Sequence, residues 1–242
     1  MLYAHPFAEE LNKTRRMASL GARALAADGW ATLALDLTGC GDSTGDFGEA
    51  TWERWREDLR AGWDWLAARF DGPRRLWGLR AGCLLAAEVA RTLAARPPLL
   101  FWQPVLSGKQ HLGQFLRLRL ARERIDGGGS ADGTQALREE FTVGRALEIA
   151  GYEVSPALAL GLDAAELDLE GYPEQVHWLE VATGDSPDLV PAARAKLARW
   201  RGGGAKIQSR AVTGVAFWQT VEITECPALV EATVVALAQE SP

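Results

Sequence analysis

Residues 74–90 read RRLWGLRAGCLLAAEVA, and Gly78-Leu79-Arg80-Ala81-Gly82 lies at the centre of the stretch. The apolar run before Arg80 reads as a buried strand, and the Ala- and Leu-rich run after it reads as a helix. With serine in the middle, this would be G-x-S-x-G, the sharp strand-to-helix turn that presents a nucleophile. The middle residue is arginine. A guanidinium stays protonated at any working pH and only donates hydrogen bonds. Arg80 therefore cannot attack a carbonyl, and the turn must carry some other cargo.

The same alternation extends outward. ATLALDL (31–37), RRLWGL (74–79), LLFWQPV (99–105) and VHWLEVA (176–182) read as strands, and KIQSRAV (206–212) as a weaker one. Helical patterns lie between them. Asn12 to Asp28 aligns Met17, Leu20, Ala24 and Ala27, with Gly29 as the stop. Thr51 to Phe70 aligns Trp52, Trp55, Leu59, Trp63 and Leu66. Ala81 to Ala95 follows the turn and ends at Pro97-Pro98. Pro191 to Trp200 and a last helix opening at Pro227 complete the set. The expectation is an α/β fold with a mostly parallel sheet and helices on both faces. Residues 107–172 differ, with helix-like segments and little strand pattern. DGGGSADGT (126–134) reads as a flexible break. ALEIAGYEVSPALALGL (146–162) is a second apolar block. The stretch reads as a cap or lid inserted between an N-terminal core part (1–106) and a C-terminal one (173–242).

Bulk properties exclude several classes. The 242 residues carry a net charge of −6, so no global basic field attracts nucleic acid. RLRLARER (117–124) is a local basic run that reads as a solvated helix face. No stretch of 18 apolar residues is present, so no membrane span is expected, nor is a signal peptide. Cys40, Cys83 and Cys226 form no C-x-x-C pair, which suits a reducing cytoplasm. His5, His111 and His177 lack metal spacing, and no cofactor is implied. Ten tryptophans are expected in the core or around a pocket.

DLTGCGDSTGDF (36–47) ends a strand in aspartate and continues G-x-G-x-S-x-G. It resembles the loop after the fourth strand of α/β-hydrolases, and the turn at Arg80 falls one helix and one strand later, as in that superfamily. HPFAEELNKTRR (5–16) looks like the loop that supplies an oxyanion-hole N–H, and GDSPDLVPAA (184–193) like the loop that carries the acid. PFAEELNKTRRM, DLTGCGDSTGDFGEATWERWREDL, WGLRAG, FWQPVLSG, EIAGYEVS and FWQTVEI together are similar, over nearly the whole chain, to the exosortase A system-associated hydrolases of type 2. Those proteins are encoded beside exopolysaccharide and PEP-CTERM protein-sorting genes. The resemblance implies two antiparallel strands ahead of the one leading into HPF, yet only Met1 to Ala4 precede it. The expectation is a start late in the gene or a shortened sheet edge, the latter favouring a homodimer.

Residue by residue, the resemblance puts Arg80 at the nucleophile position and Asp188 at the acid position. Ala81, with Phe7 or Ala8, would supply the oxyanion donors. The base belongs after the last strand, where Phe217 and Trp218 stand, and no histidine follows His177. Cys83, on the first turn of the next helix, could be a thiolate nucleophile or a small core residue. Cys40 and Ser43 are alternative nucleophiles that read more simply as turn residues, and His5 is an alternative base that reads more simply as a loop histidine. Arg80 in a pocket needs a partner. Glu9, Glu10, Asp36, Asp42 and Asp188 are expected nearby, and Asp188 or Glu10 is the simplest choice. The other reading is a ligand carboxylate or phosphate, with Phe7, Trp102, Phe217 and Trp218 lining an apolar part.

Three functions follow. One is a degenerate hydrolase of the cytoplasm that binds a small anionic or acyl ligand without triad chemistry. A second is an ester or acyl-thioester hydrolase using Cys83 or an activated water. The third is a partner-binding scaffold using the tryptophan-rich face of residues 52–65 or the sheet edge.

Overall fold

Strand β3 (Leu76–Leu79) and helix α3 (Gly82–Thr92) meet at Arg80, and the rest of the sheet is built outward from β3. The computed structural model describes residues 1–125 and 133–238. Most of the 126–134 break therefore lies outside the described residues. The chain forms two compact units. The first comprises Met1–Leu35, Gly62–Leu106 and the chain from Leu167 onward, and the second Asp36–Ala61 and Ser107–Glu166.

The first unit holds a six-stranded, wholly parallel sheet. Its strands are β1 (Leu2–Ala4), β2 (Leu33–Ala34), β3, β4 (Leu99–Trp102), β7 (Val176–Ala182) and β8 (Ile207–Thr213), in the order β2-β1-β3-β4-β7-β8. Tyr3, Trp77, Leu100 and His177 lie in one register row. The chain moves from β1 to one side for β2 and to the other for β3. That reversal is the switch point at which open α/β sheets bind ligands, beyond the carboxyl ends of the strands.

Side chains alternate across the strands. Tyr3, Trp77, Leu79, Leu100, Trp102, Leu179 and Val181 form one core with α1 (Glu9–Ala27) and α8 (Pro227–Ala238). Gly21 lets α1 approach, because a Cβ there would come within 2.7 Å of Trp102 and 2.8 Å of Trp77. The Trp102 indole donates to Thr233 Oγ1 at 2.8 Å, which satisfies its one polar atom in the core. On the other face, Trp178 of β7 packs on Trp200 of α7 (Pro191–Gly202) with ring centroids 6.1 Å apart.

In the second unit are the Gly-rich stretch, the start of α2 (Trp52–Ala67), α4 (Gly108–Ile125), α5 (Gly133–Thr142) and α6 (Pro156–Ala164). It also contains an antiparallel hairpin of β5 (Leu147–Ile149) and β6 (Tyr152–Val154), where helix-like pattern was expected. Ala150 (φ 51°) and Gly151 (φ 84°) form its two-residue turn, both in the left-handed region that matches strand twist. The expected insertion over 107–172 thus contributes residues 107–166 to this unit, joined by residues 36–61.

The strand expected over 31–37 is confined to Leu33–Ala34. Beyond it the backbone is drawn into the Gly-rich loop: Ser43 Oγ donates to Asp36 O at 2.5 Å, Asp42 N to Asp36 Oδ2 at 3.0 Å, and Cys40 N to Leu37 O at 2.8 Å. Local polar groups there replace ladder bonds. Helix α1 opens at Glu9 instead of Asn12, because Phe7 O and Ala8 O already accept from Glu10 N and Leu11 N.

Candidate active site

Arg80 occupies a turn that its neighbours enforce. Its N–H donates to Trp102 O at 3.0 Å, which extends the β3–β4 ladder by one bond, and Cys83 N donates to Arg80 O at 3.0 Å to begin α3. Between these bonds Arg80 takes φ 55°. For a long side chain this costs of order 1–3 kcal/mol and persists only where the surroundings dictate it. The flanking glycines do so. A Cβ on Gly78 would lie 2.6 Å from the Cys83 Cα, and one on Gly82 would overlap the Ala4 carbonyl oxygen.

The arginine is inward-pointing and about nine-tenths buried. Its partner is Glu10. Arg80 Nε donates to Glu10 Oε1 at 3.1 Å and Oε2 at 3.3 Å, and Nη2 donates to Oε1 at 3.0 Å. Burial pushes the Glu10 carboxyl above its ordinary range, and the adjacent guanidinium opposes that shift. On the other side, the guanidinium carbon stands 5.2 Å from the centroid of the Trp218 ring. Trp218 meets Phe217 edge-on at 5.1 Å, and both are buried. The result is a carboxylate–guanidinium–indole stack closed by residues 10, 80 and 218.

Solved structures resemble this fold over nearly the whole chain. Alpha/beta hydrolase domain-containing protein 10 from mouse is 15% identical, with a TM-score of 0.62 over 98% of this chain and 87% of that one. A structure from work on carboxylesterases of the thaumarchaeon Nitrososphaera gargenis is 16% identical, with a TM-score of 0.61 over 98% and 89%. The esterase domain of a Rhodothermus marinus protein is 16% identical, with a TM-score of 0.60 over 98% and 84%. The chain has the α/β-hydrolase fold. No family model and no curated relative matches it.

The turn at Arg80 has the strand-to-helix form expected of a nucleophile elbow, with arginine at its apex. Asp188, expected at the acid position, does not reach Arg80. It is exposed, pairs with Arg194, and accepts from Leu189 N at 2.7 Å. A different acid is buried in this region. Glu180, inside the apolar β7 pattern, accepts from Trp178 Nε1 at 2.7 Å and from Val190 N at 2.8 Å. It ties down the loop after β7, and burial raises its carboxyl above the ordinary range. The sequence signal for it was a single charge in the middle of VHWLEVA.

Cys83 is fully buried on the first turn of α3, with Sγ 3.8 Å from Trp102 O. Burial pushes its thiol well up despite the helix terminus and Arg80, the opposite of what a thiolate nucleophile requires. His5 is buried, its Nδ1 2.7 Å from Pro6 O. Trp102 is a core residue bonded to Thr233, and Phe7 and Phe217 are buried as well. In the second unit, Cys40 is buried and Ser43 holds Asp36, both acting within their own loop.

Ala8 and Ala81, the expected oxyanion donors, stand at the starts of α1 and α3. Ala8 (φ 48°) and Ala81 are each 2% exposed, and neither backbone N–H has an acceptor among the described residues. A cavity of about 520 Å³, lined by Asp28, Trp30, Arg69, Phe70 and Arg74 among others, lies at the amino ends of β1 and β3, away from the elbow. Among the described residues, no cluster suits a metal ion and no helix is long and apolar enough to cross a membrane.

Proposed function

We propose that the chain is a hydrolase-fold protein that binds a ligand at the elbow without triad chemistry. One observation carries the reading: Arg80, where the resemblance would put the nucleophile, pairs with Glu10 and has its guanidinium against the ring of Trp218, which lies where the resemblance would put the base. Neither can abstract a proton or attack a carbonyl at neutral pH. The unpartnered N–H groups of Ala8 and Ala81 supply a place for an acceptor oxygen, with Arg80 beside it as anchor. The resemblance to the exosortase A-associated group supports a setting in exopolysaccharide export and protein sorting, with the ligand drawn from the small acyl or anionic compounds of that setting.

The test is turnover. Wild-type protein should hydrolyse neither p-nitrophenyl butyrate nor butyryl-coenzyme A above the buffer rate. Hydrolysis abolished by Arg80→Ala or Cys83→Ala would remove the proposal.

One observation favours a second reading, an activated-water hydrolase. Glu9 stands in the first turn of α1, with Oε2 buried and unbonded and its carboxyl raised by burial, as a general base would need. Turnover lost in Glu9→Gln alone would establish that reading.

A further inference from the structure

Two loops at the amino ends of the strands, away from Arg80, surround the cavity of about 520 Å³. Asp28-Gly29-Trp30 follows α1, residues 69–74 follow α2, and both loops belong to the first unit. The volume falls in the range of small-molecule sites, about 300–1,000 Å³. Each loop is set by its own backbone. Gly29 takes φ 84°, and Trp30 N donates to Leu25 O at 3.0 Å, which wraps the chain over the end of α1. Phe70 N donates to Leu66 O at 3.0 Å, and Arg74 Nη1 donates to Phe70 O at 3.0 Å, which ties residues 70 and 74 across the second turn. The cavity is thus lined by two aromatic rings on fixed loops, Phe70 44% exposed and Trp30 half-buried.

The charged lining is mixed and unneutralised. The Arg69 guanidinium lies 4.1 Å from the Trp65 ring centroid and donates to Trp65 O at 3.5 Å, and that of Arg74 lies 5.7 Å from the Trp63 centroid. Both arginines are therefore held by rings and carbonyls. Neither forms an ion pair among the described residues, nor does Asp28 or Asp71. Carboxylates and guanidiniums of equal number stand around one cavity, with most of their hydrogen-bonding capacity unused by the protein.

That chemistry narrows the ligand. A carboxylate only accepts and a guanidinium only donates, whereas a hydroxyl does both. An anion would suit Arg69 and Arg74 but meet Asp28 and Asp71, and the net charge of −6 opposes its approach. A cation would meet the arginines. A wholly apolar ligand would desolvate charges and give nothing back. A pyranose is neutral, carries hydroxyls around its rim, and presents C–H groups on its faces to the electron-rich face of an aromatic ring.

We propose that this cavity binds a neutral pyranose sugar, stacked on Phe70 with Trp30 as a second wall, its hydroxyls bonded to Asp28, Asp71, Arg69 and Arg74. The site is separate from the elbow and does not depend on what happens there.

Isothermal titration calorimetry on the full chain tests this with methyl α-glucopyranoside, methyl α-mannopyranoside, methyl β-galactopyranoside and maltose, beside AMP and sodium phosphate. Saturable binding of at least one sugar is expected at one site per chain, with Kd of about 5 mM or tighter. Phe70→Ala removes an exposed ring, so the melting temperature should hold while the affinity falls about tenfold. Asp28→Asn with Asp71→Asn keeps the shape and removes the charged acceptors, and should weaken the sugar roughly tenfold as well. Glu10→Gln with Arg80→Gln alters the elbow and should leave the sugar affinity unchanged. Absence of saturable sugar binding, tighter binding of AMP or phosphate than of every sugar, unchanged affinity in either cavity variant, or loss of affinity in the elbow variant would overturn the proposal.

Discussion

Replacing Glu10 with glutamine leaves the Arg80 charge in place and removes the charge that offsets it. Both side chains are about one-tenth exposed, at 11% for Arg80 and 9% for Glu10, so solvent cannot take over the missing role. Breaking one half of a buried pair costs about 3–5 kcal/mol, because the survivor stays desolvated. Glutamine still offers one carbonyl oxygen to the guanidinium, so the lower end, about 3 kcal/mol, is expected. For a chain of this size each kcal/mol moves the melting temperature by about 2–4 °C, a drop of roughly 6–12 °C. Urea denaturation of wild type, Glu10→Gln, Arg80→Gln and the double variant forms a closed cycle. The coupling energy should exceed about 2 kcal/mol, and the double variant should be more stable than either single one. A single-variant loss below about 1 kcal/mol, or additive losses, would refute the view that the pair is sealed from water and mutually dependent.

Other outcomes follow from the same geometry. Gly82→Ala drives a methyl group into the Ala4 carbonyl, so the elbow cannot close, and soluble expression with a cooperative melt should be lost. Thr233→Val removes the acceptor of the buried Trp102 indole and should cost about 1–3 kcal/mol in urea denaturation. Cys83 should resist dithionitrobenzoate in native protein and react on unfolding, since it is fully buried with its thiol raised; fast native labelling at this position would contradict the placement. Glu180 has a folded pKa raised above its unfolded value, so the folded state binds the extra proton. Its contribution is fully present below the unfolded carboxylate pKa and is lost as pH rises through the folded one. The stability of wild type relative to Glu180→Gln should therefore fall as pH climbs out of the acidic carboxylate range, and a difference rising with pH would contradict that direction.

Local signals in the chain were faithful where one element decides its own conformation. The strand read as VHWLEVA is β7 from its first residue to its last, because it lies between β4 and β8 and is buried along nearly its whole length. The glycines of GLRAG announced a tight strand-to-helix junction, and the overlap at Gly82 shows why nothing larger fits. The hairpin β5–β6 was missed because its strands are three residues long, too short for alternation to stand out from the apolar block around it. The partner of Arg80 was a matter of tertiary distance. Glu10 and Asp188 were equal in kind, and the choice between them depended on α1 opening three residues earlier than its apolar spacing suggested. That early start delivers Glu10 to the elbow from seventy positions away. Glu180 was invisible as a site residue, since it looks like an ordinary member of its segment, whereas Trp218 was expected beside the turn and does lie against Arg80.

The stack of Glu10, Arg80 and Trp218 also bears on how the protein could change over evolutionary time. Placing serine at position 80 would strand the Glu10 carboxylate in the interior without a counter-charge. Placing histidine at position 218 first would set an imidazole against an arginine and open space beside Phe217. Each single substitution therefore passes through a less stable form, so the three side chains resist replacement one at a time.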